Sequence, residues 1–243
     1  MAVVPYKNST YNKKKQVAEM FDNISARYDL LNHLLSFNID KHWRNKALNI
    51  LAPHNPGRIL DVATGTADFA IAACKLNPEK IVGIDISDGM LVIGRRKGLR
   101  KGLHEIIDLQ NADSENLPFS ESEFDAVTCG FGVRNFESLE KGLQEMYRVL
   151  TDHGVCIILE FSKPQNAPFR QVYNSYFRYI LPMVGRLVSK DASAYTYLPD
   201  SVNAFPSGNN FMDILKGVGF TETKLIPLTF GIATIYLGMK PKK

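Results

Sequence analysis

The sequence predicts an α/β protein whose mostly parallel, seven-stranded sheet has helices on both faces and ends in an antiparallel hairpin. Short apolar runs alternate with stretches of helical periodicity, which is typical of a parallel sheet. Only a few residues around Gly231 separate the last two predicted strands. So short a connection joins antiparallel neighbours, because a parallel crossover needs about a dozen residues. The 243 residues suffice for one such domain with additions.

The region before the first strand, residues 1–52, is predicted to be an N-terminal arm followed by helices that form a lid. From Gln16 onward apolar residues recur at helical spacing, and Pro53 ends the pattern. Residues 53–243 are expected to form the main domain, with an insertion on the substrate side at about 163–208.

The elements of the main domain follow from the apolar pattern in chain order. The predicted strands share short apolar runs bounded by turn residues: 59–62, 80–85, 106–110, 124–129, 155–160, 223–228 and 232–239. Helices are expected at 69–74, after Ser87 as N-cap, at 139–150 closed by Asp152-His153-Gly154, and at 210–218 stopped by Gly219.

Composition excludes several functional classes. The net charge of +4 is too small to predict nucleic-acid binding, and no aromatic and basic run forms a nucleic-acid platform. Cys74, Cys129 and Cys156 lie singly in apolar segments, so we expect buried thiols in a reducing compartment and no metal site. The N-terminus has no signal-peptide core and no segment is long enough to span a bilayer, so we expect a cytoplasmic protein.

Polar residues follow the first three predicted strands. Gly65 and Thr66 come after strand one, Asp85 ends strand two, and Asp113 and Ser114 follow strand three. In an open α/β sheet, ligands bind outside the carboxyl ends of the strands. A strand-end carboxylate can accept hydrogen bonds from both ribose hydroxyls, and Asp113 and Ser114 can bond an adenine edge. Together they predict a cofactor that contains a nucleoside.

The loop after strand one also indicates which cofactor this is. Dinucleotide and phosphate sites use Gly-x-Gly-x-x-Gly or Gly-Lys-Ser/Thr loops. Residues 64–68, Thr-Gly-Thr-Ala-Asp, match neither, and Asp68 would repel a phosphate. A cofactor without phosphates and with a positive centre fits better, and S-adenosylmethionine meets both conditions.

Several motifs resemble those of class I methyltransferases, which have a Rossmann-like fold. They are residues 61–68, 83–85, 112–119 and 150–154. Three further motifs, residues 21–29, 130–136 and 159–164, more specifically resemble the MenG/UbiE family of quinone C-methyltransferases. This resemblance covers nearly the whole chain, from about Val17 to the C-terminus.

The resemblance implies S-adenosylmethionine-dependent C-methylation of demethylmenaquinol to menaquinol. It places cofactor contacts at Thr66, Asp85, Asp113 and Ser114. The family usually has Gly where this chain has Ala67, which narrows the loop slightly. The ubiquinone branch often has Ser where this chain has Gly130, which favours the menaquinone-only branch.

Methylation of an aromatic carbon also predicts a catalytic residue. A hydroquinone becomes a good nucleophile when a hydroxyl loses its proton, so a base or a water held by a positive group is needed nearby. Arg134, after strand four, is the candidate, because a guanidinium can stabilise a phenolate or orient a water. The resemblance implies the same role.

Residues after strand five are second candidates for the acceptor site: Asp191, Tyr195 and Tyr197. His33 and His42 are interpreted as packing or surface residues. Residues 169–187 are rich in aromatic and aliphatic side chains, interleaved with Arg170, Arg178 and Arg186. They indicate either a helix packed on the core or an apolar groove for a polyprenyl tail, with peripheral contact at the inner face of the cell membrane.

Other functions remain alternatives. One is methylation in the ubiquinone branch, on a 2-methoxy-6-polyprenyl-benzoquinol, and another is methylation of a soluble molecule at oxygen or nitrogen. A nicotinamide-dependent oxidoreductase is disfavoured by the absent glycines and the terminal hairpin. A non-catalytic nucleoside-binding subunit would bind the cofactor without turnover. Tail length, the proton acceptor and assembly into homo-oligomers stay open.

Overall fold

A computed structural model describes residues 3–36, 38–164, 166–175 and 193–242. Its strands are β1 Arg58–Val62, β2 Lys80–Asp85, β3 Ile107–Asn111, β4 Phe124–Gly130, β5 Leu150–Phe161, β6 Thr221–Leu228 and β7 Ala233–Met239. Its α-helices are α1 Lys13–Leu35, α2 Ile39–Leu51, α3 Asp68–Ala73, α4 Asp88–Arg100, α5 Leu139–Val149, α6 Phe169–Ser175, α7 Ser193–Ala204 and α8 Asn209–Val218.

The sheet has the predicted architecture. Its seven described strands run in the order β3-β2-β1-β4-β5-β7-β6. The pairs from β3 to β5 are parallel, and β7 is antiparallel to both β5 and β6. The order reverses at β1, which lies between β2 and β4, so the carboxyl ends of these three strands form the expected ligand crevice. The fold-class prediction is confirmed.

Alternating strand residues build a core on each face of the sheet. Ile59 packs with α2 and α3 on one face, whereas its neighbour Leu60 packs with α5 and α8 on the other. The near-continuous apolar runs of the strands arise because helices bury both faces. The sheet is therefore rigid, and the loops at its carboxyl edge start from fixed positions.

The connection between α5 and β5 differs from the prediction. We expected the helix to reach residue 150 and Asp152-His153-Gly154 to close it, but α5 ends at Val149 and β5 begins at Leu150. Leu150 is already extended and pairs with Phe124 across an irregularity in the ladder. Nζ of Lys240 donates to the carbonyl of Leu150 at 2.6 Å and fixes this early strand start.

Helix α1 lies against the main domain. Val17, Met20 and Ile24 form one small core with Met90 of α4 and Tyr197 of α7. The spacing of the three α1 residues puts them on one face of the helix, so this face is buried against the domain. Within the described ranges no helix is long and apolar enough to cross a membrane. The division at residue 53 and the lid stay predictions.

Candidate active site

Asp85 organises the carboxyl edge of the sheet. Its Oδ2 accepts from the backbone N–H of Gly65 at 2.8 Å, and its Oδ1 accepts from that of Ser87 at 2.9 Å. The carboxyl group joins the loop after β1 to the loop after β2. Burial raises the pKa of Asp85 to about 6. Each oxygen has a second lone pair, so the carboxylate can still accept hydrogen bonds from a ligand.

Asp61 holds the β1 loop from inside the sheet. It is 1 % exposed and accepts from the hydroxyls of Thr64 at 2.6 Å and Thr128 at 2.7 Å. Burial raises its pKa to about 6. Because both oxygens already bond side chains of β4 and the loop, we assign Asp61 to positioning the loop.

The loop has open space where a ligand would approach. Gly65 has φ 56°, and no atom lies within 4 Å of where its Cβ would be. Ala67, the departure from the family pattern, also has positive φ, at 65°. A Cβ on Gly94 of α4 would come within 3.2 Å of Ala67 Cβ. Glycine at 94 therefore leaves α4 room for the methyl group that this chain carries at 67.

Three of the predicted cofactor residues line one cleft. Asp85, Asp113 and Ser114 share it with Phe136 and with Val17 of α1, and the cleft encloses about 480 Å³ including its open mouth. A mixed apolar and carboxylate wall suits an adenine ring joined to a ribose. The residues therefore fit the nucleoside half of S-adenosylmethionine.

Two lysines of α1 attach this helix to the cleft. Lys14 Nζ lies 2.6 Å from Oδ2 of Asp113 and 3.3 Å from Oε2 of Glu115. Lys13 Nζ donates to the carbonyls of Arg134 and Phe136 at 3.2 and 2.7 Å. Burial lowers the pKa of Lys13. The start of α1 is thereby tied to both the β3 and β4 loops.

Two acidic residues of α1 bind the other loops. Asp22 Oδ1 accepts from the Ser87 hydroxyl at 2.6 Å and from Gly89 N at 2.9 Å. Asp29 Oδ1 accepts from the Thr66 hydroxyl at 2.5 Å. The predicted contact Thr66 is thus engaged with α1, and it does not line the cleft. Asp22 and Asp29 were missed because nothing local in the sequence brings α1 to these loops.

Arg134 lies in a short 3-10 turn, Val133–Asn135, directly after β4. Its Nη1 is 2.7 Å from Oε1 of Glu160 at the end of β5, and the same Nη1 donates to the carbonyl of Phe131. The Arg134 and Glu160 side chains are 8 % and 0 % exposed. Nε of Arg134 is buried without a hydrogen-bond partner among the described residues.

Aromatic side chains surround this ion pair. Cζ of Arg134 lies 5.4 Å from the ring centroid of Phe161. Tyr173 and Tyr197 are buried, and burial raises the pKa of both, that of Tyr197 to about 12. The charge of Arg134 lowers the pKa of both tyrosine hydroxyls and the charge of Glu160 raises it, but burial has the larger effect. Burial also raises the pKa of Tyr28 to about 12 in the field of Arg134.

The predicted residues therefore fall into two neighbouring groups. Gly65, Thr66, Asp85, Asp113 and Ser114 gather at the ends of β1, β2 and β3, and Arg134 lies beyond β4. The two groups meet at the cleft wall, because Gly132 and Asn135, which flank Arg134, line it.

Of the other predicted positions, some lie within the described residues and some do not. Tyr197 joins the Arg134 group, whereas Asp191 and the side chains of Tyr195 and His33 lie outside the described residues, as does most of 169–187. His42 is exposed. Glu160 received no role from the sequence, although an acid at the end of an otherwise apolar strand was a signal. In the described part of the chain no group of metal-ligating residues occurs.

Comparison with known proteins gives a consistent result. The sequence model of the ubiE/COQ5 methyltransferase family matches residues 9–240. A demethylmenaquinone methyltransferase of Bacteroides fragilis is 48% identical over 239 residues, covering 98% of this chain and 97% of its own. A ubiquinone/menaquinone biosynthesis C-methyltransferase UbiE of Geotalea daltonii is 46% identical over 230 residues, with 94% and 97% covered.

A solved structure supports the fold. An S-adenosylmethionine-dependent methyltransferase of Thermotoga maritima superposes with a TM-score of 0.64 at 20% identity, covering 91% of this chain and 99% of its own. At that identity the likeness concerns the fold alone. It agrees with the mostly parallel sheet and its antiparallel end.

Proposed function

The chain belongs to the ubiE/COQ5 methyltransferase family, and from that premise we propose how its residues methylate a quinol. The function is S-adenosylmethionine-dependent methylation in menaquinone biosynthesis, and the acceptor we propose is the ring carbon of demethylmenaquinol. The observation that carries the residue assignment is the adjacency of two sites. The cleft lined by Asp85, Asp113 and Ser114 ends at the turn that bears a buried, ion-paired Arg134.

S-adenosylmethionine supplies an electrophilic methyl group when bound. We assign the ribose hydroxyls to Asp85 and the adenine edge to Asp113 and Ser114, because these side chains line one cleft. The backbone at Gly65 is open for close approach. Thr66 supports this site through Asp29 of α1. The role of these residues is to hold the donor in line with the acceptor carbon, which lowers the entropic part of the barrier.

Arg134 is proposed to act on the acceptor oxygen. A guanidinium stays protonated at ordinary pH, so it cannot serve as the base. It can stabilise the negative charge that develops when the quinol hydroxyl loses its proton. Support comes from Nε, a buried donor that has no partner among the described residues and is therefore available to an oxyanion.

Gly130 supports the menaquinone branch over the ubiquinone branch. A Cβ at this position would lie 3.0 Å from Cδ1 of Phe69, closer than nearly all real Cβ contacts. The serine that often occurs here in the ubiquinone branch would require Phe69 to move. The packing at the end of β4 therefore suits glycine, the residue that distinguishes this chain from the ubiquinone-branch pattern.

We further propose that the acceptor is taken from a membrane surface. Phe169 and Phe230 stack at 3.7 Å with an interplanar angle of 6°, and they are 37 % and 67 % exposed. Exposed Arg170 follows Phe169, and the whole chain has net charge +4, which favours an anionic bilayer. We infer that this exposed apolar pair is the part of the surface that enters the bilayer interface.

Flotation with anionic liposomes tests the membrane proposal. Phe230→Ser is expected to reduce liposome binding and activity on long-tailed substrate several-fold while activity on a short-tailed quinol is kept. Leu99→Ser, which removes a 64 % exposed side chain from α4, is the matched control and should change neither. Equal flotation of wild type and Phe230→Ser would contradict the assignment of the aromatic pair.

The enzymatic proposal is tested by incubation with labelled methyl donor and one of three acceptors. Reduced demethylmenaquinone is expected to gain a methyl group. The matching ubiquinone precursor and soluble phenols or amines are expected to react at least about tenfold more slowly, a difference of about 1.4 kcal/mol in transition-state binding. Preference for either of the other two acceptors would support the corresponding alternative.

A further inference from the structure

Glu160 is a buried acid to which the proposed reaction gives no function so far. It is fully buried at the carboxyl end of β5, where it pairs in register with Thr234 of β7. Its Oε1 accepts from Arg134 Nη1 at 2.7 Å and from Phe161 N at 2.8 Å. Among the described residues, Oε2 accepts one hydrogen bond, from Arg134 N at 3.3 Å. One oxygen is therefore well bonded and the other is not.

This unequal bonding matters because the ion pair is buried. A buried acid and base pair is overall neutral, and adding a phenolate beside it would leave one unbalanced negative charge in a medium of low dielectric constant. Burial also raises the pKa of Glu160. If a proton moved from the bound phenol to this carboxylate, the number of charges in the site would not change.

We propose that Glu160 is the acceptor of the quinol proton, received on Oε2, while Arg134 passes from the Glu160 carboxylate to the new phenolate. This inference rests on the proposed function. The quinol O–H bond breaks, its electron pair stays on the quinol oxygen, and a new O–H bond forms on Glu160. The pair Arg134⁺ and Glu160⁻ is replaced by Arg134⁺ and phenolate⁻, with Glu160 neutral.

The proton count closes over one turnover. After the ring carbon has gained its methyl group, the quinol oxygen is a carbonyl oxygen. The methylated carbon still carries the hydrogen that it had before the reaction. That hydrogen leaves as a proton to solvent, the ring becomes aromatic again, and Glu160 returns its proton to the oxygen. One proton is released in total, and Glu160 ends ionised as it began.

Tyr197 is the candidate to relay the proton, because Arg134 and Glu160 both act electrostatically on its hydroxyl. Its hydroxyl is buried without a hydrogen-bond partner among the described residues, and it belongs to α7, which packs on α1. A hydroxyl both donates and accepts, so it can take a proton from the quinol and pass its own to Glu160. In the described part of the chain, the titratable groups that interact electrostatically with Glu160 include Arg134, Cys129, Tyr173, Tyr197 and Tyr236.

Glu160→Gln tests the proposal by kinetics at saturating donor. The wild type should lose kcat as pH falls through the pKa of Glu160, because a protonated acid accepts nothing. In Glu160→Gln we expect kcat to be lower by about 100-fold or more near neutral pH, to lack that acid limb, and to rise with pH as bulk base takes over. Glu160→Asp should restore the limb.

A purely structural role gives a different result. In that case kcat of Glu160→Gln would be lower by the same factor at every pH, and the acid limb would remain. Such a profile would overturn the proposal, as would an unchanged kcat. Donor affinity and melting temperature are measured for each variant to detect misfolding. If the wild type itself methylates no quinol, the proposed function is wrong. If the wild type is active but Glu160→Gln lowers kcat equally at every pH and keeps the acid limb, only the proton-accepting role of Glu160 is wrong.

A binding experiment without donor gives a second readout. 1-Naphthol, a phenol that cannot be oxidised to a quinone in one step, is added to weakly buffered enzyme, and absorbance reports bound naphtholate while an indicator reports released protons. The wild type should form naphtholate and release well under one proton for each, because Glu160 keeps it. Glu160→Gln should release one proton for each naphtholate formed. Full release by the wild type, or binding of neutral naphthol only, would overturn the proposal.

Discussion

The donor and acceptor sides of the active site are built in opposite ways. On the donor side, the loops after β1, β2 and β3 carry carboxylates that are bonded to partners on α1 or to backbone N–H groups. The Lys14–Asp113 pair has side chains that are 28 % and 32 % exposed. On the acceptor side, Arg134 and Glu160 come from separate strands and are 8 % and 0 % exposed.

This difference indicates how each side works. Partly exposed ion pairs are worth about 1 kcal/mol or less, so a ligand can replace them at small cost. A buried pair that loses one partner is destabilised by several kcal/mol, about 3 to 5 in general, so it holds its geometry until a new charge arrives. The donor side is therefore exchangeable, and the acceptor side is preorganised.

Arg134→Gln should produce the largest effect. Removing a preorganised charge that stabilises an oxyanion lowers kcat by about 10²- to 10³-fold. Donor affinity, measured by calorimetry, should change less than about twofold, because Arg134 does not line the nucleoside cleft. Arg58→Gln, which removes a surface partner of Glu123, is the control. Full activity in Arg134→Gln with normal donor binding would remove Arg134 from the mechanism.

Asp85→Asn should give the reverse pattern. The asparagine amide has one oxygen where the carboxylate has two, so it cannot accept from the backbone N–H groups of both Gly65 and Ser87 and from the ribose as well. Donor Kd should therefore rise about 10- to 100-fold. At saturating donor, kcat should remain within a few-fold of the wild type. Asp152→Asn, in the exposed turn within β5, is the control. A large fall in kcat with unchanged Kd would show that the two sides are not separable.

Donor affinity should also depend on pH through Asp85. Its pKa in the free protein is raised to about 6. Ribose hydroxyls bond the ionised form, so binding lowers this pKa and releases a proton. Affinity should therefore rise with pH up to about 6 and level off above, by at most tenfold per pH unit below it. Calorimetry in buffers of different ionisation enthalpy measures the released proton, and Asp85→Asn should abolish the dependence.

The smallest effect is expected from Lys14→Met. The substitution removes the ion pair that occupies Asp113, so the donor should associate faster, by about fivefold or less. Lys15→Met is the matched control, because Lys15 is exposed on the same helix and its Nζ lies over the Tyr11 ring, away from Asp113. Stopped-flow fluorescence measures the association rate. Slower association in Lys14→Met would show that Lys14 attracts the donor and does not block it.

The two sides were also unequally predictable from the sequence. Asp85 and Asp113 followed from strand ends, because the short apolar runs show where the buried parallel strands stop. Ser87 was correctly expected as a helix cap, and its hydroxyl accepts from Met90 N. Contacts between distant segments were not predictable. The Asp29–Thr66 and Arg134–Glu160 pairs depend on how α1 and β5 pack, and one-dimensional periodicity does not encode that packing. The start of β5 was misplaced for the same reason, since Leu150 pairs with Phe124 of β4 and accepts a hydrogen bond from Lys240, both distant in sequence.

The position of the transferred methyl group is the most direct test of the proposed reaction. Enzyme is incubated with donor carrying a CD₃ group and with reduced demethylmenaquinone, and the product is analysed by mass spectrometry and NMR. A CD₃ group on the open ring carbon is expected, from wild type but at most in traces from Arg134→Gln. A methyl ether on a quinol oxygen, or no product from wild type with donor bound, would contradict C-methylation by this site.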